Sequence, residues 1–519
     1  MIITIDEGTT STRALLIDSK GKILFTKQEE ITQHYPNPAW VEHDAIEIWQ
    51  KTLRCIRELI KEALASGIKK EDFEAIAITN QRETTLIWDP KTGKPAHNAI
   101  VWQCRRTANY CKELEKQELE QGIDLKTYIQ AKTGLQLDAY FSATKIKWLL
   151  DNKCSHIDLD KLSPGELMFG TIDTWLLWNL TLGREHLTDS TNASRTMLYD
   201  IYENQWDTRL LKYFNIPKEI LPQVKDSSAD FNSSPLFQDL LGKELPIKAI
   251  MGDQQAALYA YNNEAKITYG TGSFVLIPSK TKSNKDNPEG SFSNVIADER
   301  QNLGTNERES IFVEEQKTNI GLLESIAYSK NDVQAYSLEG SVFIGGSIVQ
   351  WLRDELNFIE SASEIEELAN QVKDNAGVYL IPALAGLGAP FWRGDLRGSI
   401  FGITRGTNKA HIARAALESI AFRVRDVFEA LDPEIRNSIK TINVDGGASK
   451  NDTLLQFQAD LLQIPIRRFK EPEMTALGTA KMTGLVELNL TLDKEFKPKN
   501  NVEDSYEQWQ KYIELLIKT

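Results

Sequence analysis

Ile2-Ile-Thr-Ile-Asp6-Glu7-Gly8-Thr9-Thr10-Ser11-Thr-Arg13-Ala-Leu-Leu-Ile-Asp18 is the stretch whose reading decides the fold. Two apolar runs, Ile2–Ile5 and Ala14–Ile17, flank a tight polar turn, the pattern of strand, turn and strand. Gly8 lets backbone come close to a ligand. The hydroxyls of Thr9, Thr10 and Ser11, together with N–H groups of the turn, can surround phosphate oxygens, and Arg13 can neutralise them. Asp6 ends the first strand, where a carboxylate can hold a hydrated Mg²⁺. The same residues also suit a polar surface hairpin, and the turn alone does not separate the two readings.

The design recurs at Ile267–Leu276, Ile-Thr-Tyr-Gly-Thr271-Gly-Ser-Phe274-Val-Leu, again with glycine at the turn. Two such hairpins predict two similar half-molecules facing across a cleft, and a second phosphate-handling turn favours a nucleotide. Just before it, Ile247–Met251 reads as a strand, Gly252 as a break, and Asp253-Gln254-Gln255 as the start of a helix. Asp253 is then either an N-cap or a base for a substrate hydroxyl. A helix N-terminus is expected to lower its pKa, which suits phosphoryl transfer, where positioning outweighs proton abstraction. Further on, Thr441–Val444 leads into Asp445-Gly446-Gly447-Ala-Ser-Lys-Asn451. Strand, double glycine and helix is how backbone approaches a nucleotide at the carboxyl end of a sheet, or a plain connecting turn.

Strands and helices alternate elsewhere, predicting an α/β protein. Asp44 and Glu47 have capping-box spacing, and Ile46, Trp49, Leu53, Ile56, Ile60 and Ala63 form one apolar helical face. A strand at Glu74–Ile78 is followed by Asn80-Gln81-Arg82-Glu83. Arg82-Glu83 is either an exposed ion pair of little energetic value or a polyol clamp, with arginine donating to hydroxyls and glutamate accepting. Ser142 caps an expected helix containing Ile146, Leu149 and Leu150, whereas Thr188–Leu198 reads as loop. Residues 279–315, poor in apolar side chains, read as a flexible surface insertion with a short strand at Ile311–Val313. A long helix lined by Ile412, Ala416, Ile420, Val424, Val427 and Leu431 and a final amphipathic helix around Tyr506, Trp509, Ile513 and Leu516 look structural.

The 519 residues are too many for one core, so two large domains are expected, at 1–255 and 256–519. A net charge of −14 argues against non-specific binding to nucleic acid or anionic membrane. The four cysteines, Cys55, Cys104, Cys111 and Cys154, form no C-x-x-C pair, so neither a zinc ribbon nor a disulfide framework is indicated. With no signal-peptide pattern and no apolar run long enough to span a bilayer, a cytoplasmic protein is expected. No Walker A, G-x-G-x-x-G or H-E-x-x-H sequence occurs, which sets aside P-loop enzymes, dinucleotide oxidoreductases and zinc proteases of that type.

Taken together, these stretches closely resemble the FGGY carbohydrate kinase family from Ile3 to about Gly484. Tyr140–Asn152 fits the family's first signature, and Gly398-Ser-Ile-Phe-Gly402-Ile403 through His411 to Glu418 fits the second. Thr79-Asn-Gln-Arg82-Glu83-Thr-Thr, Ile100-Val-Trp102-Gln-Cys-Arg-Arg, Thr191-Asn-Ala-Ser-Arg-Thr-Met197 and Gly252-Asp-Gln-Gln-Ala-Ala257 look like the members that phosphorylate glycerol. The resemblance implies two ribonuclease-H-like domains of the actin-like ATPase type around a central cleft. It implies ATP-dependent conversion of glycerol to sn-glycerol 3-phosphate, the first step of glycerol catabolism, in a homodimer or homotetramer that needs ATP and Mg²⁺. Carried over by motif, glycerol is held by Arg82, Glu83, Trp102, Tyr140, Asp253, Gln254 and Phe274. The nucleotide meets Thr9, Thr10, Ser11, Arg13, Thr271, Gly346, Gln350, Gly447 and Asn451. Asp253 is the base, and Asp6 and Asp253 hold Mg²⁺.

Two departures stand out. The family usually carries Gln where this chain has Glu7, and a carboxylate beside the phosphates is expected to weaken ATP binding or deepen its Mg²⁺ dependence. Ser227–Lys243 lacks both the Gly/Arg loop linked to inhibition by fructose 1,6-bisphosphate and the histidine phosphorylated by the sugar phosphotransferase system, so neither control is expected. Other readings are a kinase for a different polyol or ketose, and a nucleotide-binding regulator that has lost catalysis.

Overall fold

The computed structural model describes residues 1–120, 122–154, 162–283 and 319–518. The opening hairpin forms as expected, with β1 (Ile2–Glu7) and β2 (Ser11–Ile17) antiparallel, followed by β3 (Ile23–Glu30). After helix α1 (Ala45–Ala65) come β4 (Ala75–Asn80), helix α2 (Ser142–Lys153), β5 (Ser233–Ser234), β6 (Leu245–Gly252) and helix α3 (Asp253–Ala260). The first sheet has the order β5-β6-β4-β1-β2-β3, with β1, β4 and β6 parallel.

The second half repeats this plan. A hairpin of β7 (Lys266–Tyr269) and β8 (Ser273–Ser283) is followed by β9 (Leu323–Lys330), β10 (Val333–Val342), helix α4 (Ser347–Asp354) and helix α5 (Lys409–Glu429). Then come β11 (Ile442–Asp445), helix α6 (Asp452–Leu462), β12 (Ile466–Phe469), helix α7 (Met474–Met482), β13 (Leu492–Phe496) and helix α8 (Glu503–Ile517). The sheet order is β9-β10-β8-β7-β11-β12-β13, with β7, β11 and β12 parallel. In both sheets the hairpin's first strand lies beside two parallel strands that arrive later in the chain, and its second strand lies on the other side. Of the expected insertion, residues 279–283 continue β8; the remainder, with the strand at Ile311–Val313, lies outside the described residues.

Side chains alternate across β1 and β2. Ile3, Ile5, Ala14 and Leu16 pack with Ile48, Ile56, Leu59 and Ile60 of α1, whereas Ile2, Leu15 and Ile17 share a core with Ala256 and Ala260 of α3 and Ala476, Leu477 and Ala480 of α7. The chain therefore returns from the second sheet to cover the first. The stripe that α1 buries, Ile48, Thr52, Cys55, Ile56, Leu59, Ile60 and Ala63, is rotated from the expected face, and Ile46, Trp49 and Leu53 are only half-buried. Asp44 caps α1 through Ile46 N and Glu47 N, but Glu47 turns to Thr32 and Lys51 instead of completing a capping box. Ser142 is the first residue of α2 and makes no cap. The second core gathers Ile267, Tyr269, Val275 and Ile277 against Ala416, Ile420, Val424 and Val427 of α5, with Trp509 of α8 fully buried in it. All four cysteines are free and buried, and no described helix is long and apolar enough to cross a membrane.

Candidate active site

Register places the key segments at one sheet edge. Glu7 of β1 pairs with Asn80 of β4, and Asn80 pairs with Gly252 of β6. The turn after Glu7, the Gln81-Arg82-Glu83 segment and Asp253 therefore leave three neighbouring strands at their carboxyl ends. At a strand spacing of about 4.8 Å, the hairpin tip and Asp253 are roughly 10 Å apart.

Asp253 is the first residue of α3 and Gly252 its N-cap, so the aspartate does not serve as the cap. Its Oδ1 accepts from Gln254 N at 2.7 Å and lies 3.3 Å from Arg82 Nε. The expected depression of its pKa is not found. Burial pushes the carboxyl up to about 6, against the pull of Arg82, with Glu83 adding to the rise. Desolvation outweighs the hydrogen bond from Gln254 N and the charge of Arg82, although the side chain keeps 31 % of its surface exposed.

Arg82 and Glu83 are not an exposed pair: each is 2 % exposed and they lie 3.7 Å apart. Their shorter contacts are to other residues. Arg82 donates to both oxygens of Glu339 at 2.5 and 2.9 Å, to Gln255 Oε1 at 3.2 Å and to Tyr140 Oη at 3.3 Å. Arg195 donates to Glu83 Oε1 at 2.7 Å and to Glu339 Oε1 at 3.1 Å. Burial alone raises the Glu339 pKa, but the guanidiniums of Arg195 and Arg82 hold it at about 2. Two cations thus face three carboxylates inside the protein. Lys145 supports the same group from α2, donating to the carbonyls of Glu83 and Tyr140 at 2.9 and 2.7 Å.

An aromatic wall closes the other side. Trp102 meets Tyr140 edge-on at 5.6 Å and Phe274 at 6.1 Å. Phe274 follows the second turn on β8, so the wall joins the two halves. Gln254 reaches the same space, its Oε1 accepting from Lys266 Nζ at 2.6 Å and its Nε2 lying 3.4 Å from Asp253 Oδ2. Arg82, Glu83, Trp102, Tyr140, Asp253, Gln254 and Phe274 are therefore brought together.

The residues expected to meet a nucleotide fall into two groups. Thr9, Thr10 and Ser11 form the first turn, and Arg13 beside them pairs with Asp6 and with Glu473, the latter at 2.5 Å. Thr271 lies in the second turn, where its carbonyl accepts from Gly345 N at 2.8 Å and Gly346 N donates to Gly270 O at 2.8 Å. Gly446 crosses behind this turn with φ +88°, and a Cβ there would sit 2.5 Å from Tyr269 O. A Cβ at Gly447 would meet no atom within 4 Å, so open space lies beside the turn. Gln350 projects from the exposed side of α4, and Asn451 caps α6 through Leu454 N at 2.8 Å.

Glu7 departs from expectation. Its side chain points to the opposite face from Asp6, beneath α1, where Thr52 Oγ1 lies 3.3 Å from its Oε2. It is fully buried, and burial raises its pKa well above the usual carboxylate range. Turned away from the turn and buried under α1, the Glu7 carboxyl does not sit beside the phosphates, so the basis for weakened ATP binding is removed.

Sequence reasoning missed Glu339, Arg195 and Glu473. The first part of Thr188–Leu198 is not loop but a short strand, Leu187–Asp189, and a helical turn, Ser190–Ala193; residues 194–198 are turn and irregular backbone, and every residue is buried. A glutamate in the otherwise apolar and small-residue strand Val333–Val342 was the available signal for Glu339. Among the described residues no cluster of three or more His, Cys, Asp or Glu is placed to cage a metal.

Residues 1–260 match the N-terminal domain of the FGGY family of carbohydrate kinases, and residues 265–486 match its C-terminal domain. The chain is 48% identical over 489 residues to a glycerol kinase of Petrotoga mobilis, covering 93% of this chain and 89% of the relative. It is 46% identical to a glycerol kinase of Fusobacterium nucleatum, covering 99% and 98%. Among solved structures, Plasmodium falciparum glycerol kinase with ADP superposes with a TM-score of 0.79 at 32% identity, covering 99% of this chain and 98% of that one. A xylulose kinase of Lactobacillus acidophilus shares the fold at 21% identity, with a TM-score of 0.77 over 100% of this chain and 97% of its own.

Proposed function

The chain belongs to the FGGY family of carbohydrate kinases, and from that premise we propose that it phosphorylates glycerol with ATP to give sn-glycerol 3-phosphate. The observation that carries this reading is the convergence of Arg82, Glu83, Asp253 and Gln254 on a space walled by Trp102 and Phe274. A triol needs donors and acceptors on its hydroxyl side and apolar contact on its short carbon side. Arg82 and Gln254 donate, Glu83 and Asp253 accept, and the aromatic rings, with Tyr140 behind them, supply the carbon face. A site built on hydrogen bonds rejects an analogue lacking one hydroxyl, by up to roughly 10⁴–10⁵.

In the proposed reaction the terminal hydroxyl oxygen of glycerol bonds to the γ-phosphorus, the bond to the β,γ-bridging oxygen breaks, and ADP leaves. Asp253 takes the hydroxyl proton, a role supported by its pKa of about 6. Thr9, Thr10, Ser11 and Arg13 hold the phosphates, and Thr271, Gly346, Gln350, Gly447 and Asn451 line the nucleoside side. Asp6, a hard oxygen donor at the phosphate turn, fits a cation that arrives with the nucleotide and keeps its waters, which needs only one or two carboxylates and no protein cage. Asp6 and Asp253 would be the carboxylates that hold Mg²⁺ there, and the ion would neutralise charge on the phosphates. The proposed role is the first step of glycerol catabolism.

The test is release of ADP from ATP and Mg²⁺ with and without glycerol, followed by a panel of other polyols and ketoses. ADP release that depends on glycerol and is much slower with the panel is expected. Release that is indifferent to glycerol, or faster with a ketose, rejects the reading.

A further inference from the structure

Beneath the first turn lies a closed ring of neutral hydrogen bonds that the proposed chemistry does not use. Gln33 Nε2 donates to Thr9 O at 2.9 Å and to Ile31 O at 3.1 Å. Gln81 Nε2 donates to Gly8 O at 3.1 Å and reaches His43 Nδ1 at 3.4 Å, while its Oε1 accepts from Thr84 Oγ1 at 2.8 Å. His43 Nε2 lies 2.9 Å from Gln33 Oε1. These partners assign one arrangement: Nδ1 of His43 accepts from Gln81, and Nε2–H donates to Gln33. His43 is fully buried, and burial pushes its pKa down to about 4, which keeps the imidazole in the neutral form this arrangement needs. Every polar atom of both carboxamides is used, so the ring fixes itself.

The effect on the turn is specific. The carbonyls of Gly8 and Thr9 are drawn back by the two glutamines, and those of Thr10 and Ser11 by Ile31 N at 2.8 Å and Gly8 N at 3.0 Å. Among the described residues no protein acceptor meets the N–H groups of Thr9 and Thr10. A peptide whose oxygen is held inward presents its N–H outward, and a carbonyl facing an anion would repel it. Trp102 is tied to the same ring: its Nε1 donates to Thr9 Oγ1 at 2.9 Å and its backbone N–H to Thr84 Oγ1 at 3.3 Å.

We propose that Gln33, His43 and Gln81 are positioning residues that turn the Thr9 and Thr10 N–H groups toward the nucleotide's phosphates and tie that turn to the Trp102 wall. This rests on the reading of the turn as the phosphate site. The three residues touch neither substrate; they act through the orientation of the peptides that do.

The experiment measures binding of ADP and of glycerol separately, by calorimetry, to the full-length protein and its His43 variants. His43→Leu removes both arms of the ring. His43→Gln keeps a donor toward Gln33, and His43→Asn keeps an acceptor toward Gln81. Loss of one or two hydrogen bonds is expected to weaken ADP about tenfold in His43→Leu and about threefold in the two polar variants, with glycerol within about twofold. Unchanged ADP affinity in folded His43→Leu overturns the proposal, as does equal weakening of ADP and glycerol, which marks general damage. If His43→Leu does not fold, the two polar variants decide by the same criteria. Absence of ADP binding by the unaltered protein overturns this proposal and the kinase reading together, whereas ADP binding without glycerol-dependent turnover overturns only the latter.

Discussion

The Nε of Arg82 lies 3.3 Å from Oδ1 of Asp253, while the far end of the same guanidinium is held by Glu339 from the other half of the molecule. The proposed base is thus steadied by a cation that is itself steadied across the cleft.

Replacing Asp253 with Asn keeps the shape and removes the proton acceptor. Turnover is expected to fall by roughly 10²–10⁴, with the glycerol KM changed far less. Steady-state kinetics check this, and near-wild-type turnover rules out the assigned role.

The pH profile follows from the same residue. With its carboxyl at about 6, Asp253 is protonated and unable to accept below that value. The kcat/KM for glycerol is expected to rise with pH up to about 6 and then level off, and Asp253→Asn to lose that limb. A profile already flat at pH 5 contradicts the raised value.

Glu339→Gln leaves Arg82 and Arg195 facing each other with one carboxylate fewer. Breaking a buried ion pair by removing one partner costs about 3 kcal/mol or more. The folded-state pKa of Glu339 is depressed to about 2, so its contribution is present above the unfolded value and is lost as pH falls toward 2. Denaturation of wild type and variant at pH 7 and pH 3 reads the gap, which is expected to narrow at the lower pH. The glycerol KM is expected to rise more than the ATP KM.

Glu7→Gln is expected to leave the ATP KM unchanged across Mg²⁺ concentrations, because the side chain lies under α1 and away from the turn. It is also expected to stabilise the fold. The folded-state pKa is raised, so wild-type stability is full below the unfolded value of about 4.3 and declines by about 1.4 kcal/mol per pH unit above it until the folded-state group ionises. Glutamine has no such linkage. Thermal melts at pH values on either side of the unfolded value should show a larger advantage for the variant at the higher pH; a constant or negative difference counts against a raised Glu7 pKa.

Gly478 marks the tightest crossing of α7 over α3, since a Cβ there would sit 1.8 Å from Ala256 O. Gly478→Ala must push α7 off the helix that carries Asp253. A loss of about 1–3 kcal/mol in stability is expected, with a fall in turnover, by chemical denaturation and kinetics. Full stability and activity would mean the helices separate freely.

Local chemistry made the frame legible from sequence alone. The hairpins at Ile2–Ile17 and Ile267–Leu276, the break before Asp253 and the double glycine at Gly446-Gly447 are each specified by neighbours a few residues away. Alternating apolar side chains and turn residues need no distant partner to be recognised, and they sufficed to predict two matching halves around a cleft. The family resemblance then named the residues expected to line it. What only the tertiary structure decided was the environment of the charges. Arg82 meets Glu339 across 257 positions, and Arg195 sits fully buried in a stretch that reads as polar loop. The same packing reversed the expected shift of Asp253 and hid Glu7 behind the sheet, because desolvation depends on everything that surrounds a group, and those surroundings come from both ends of the chain.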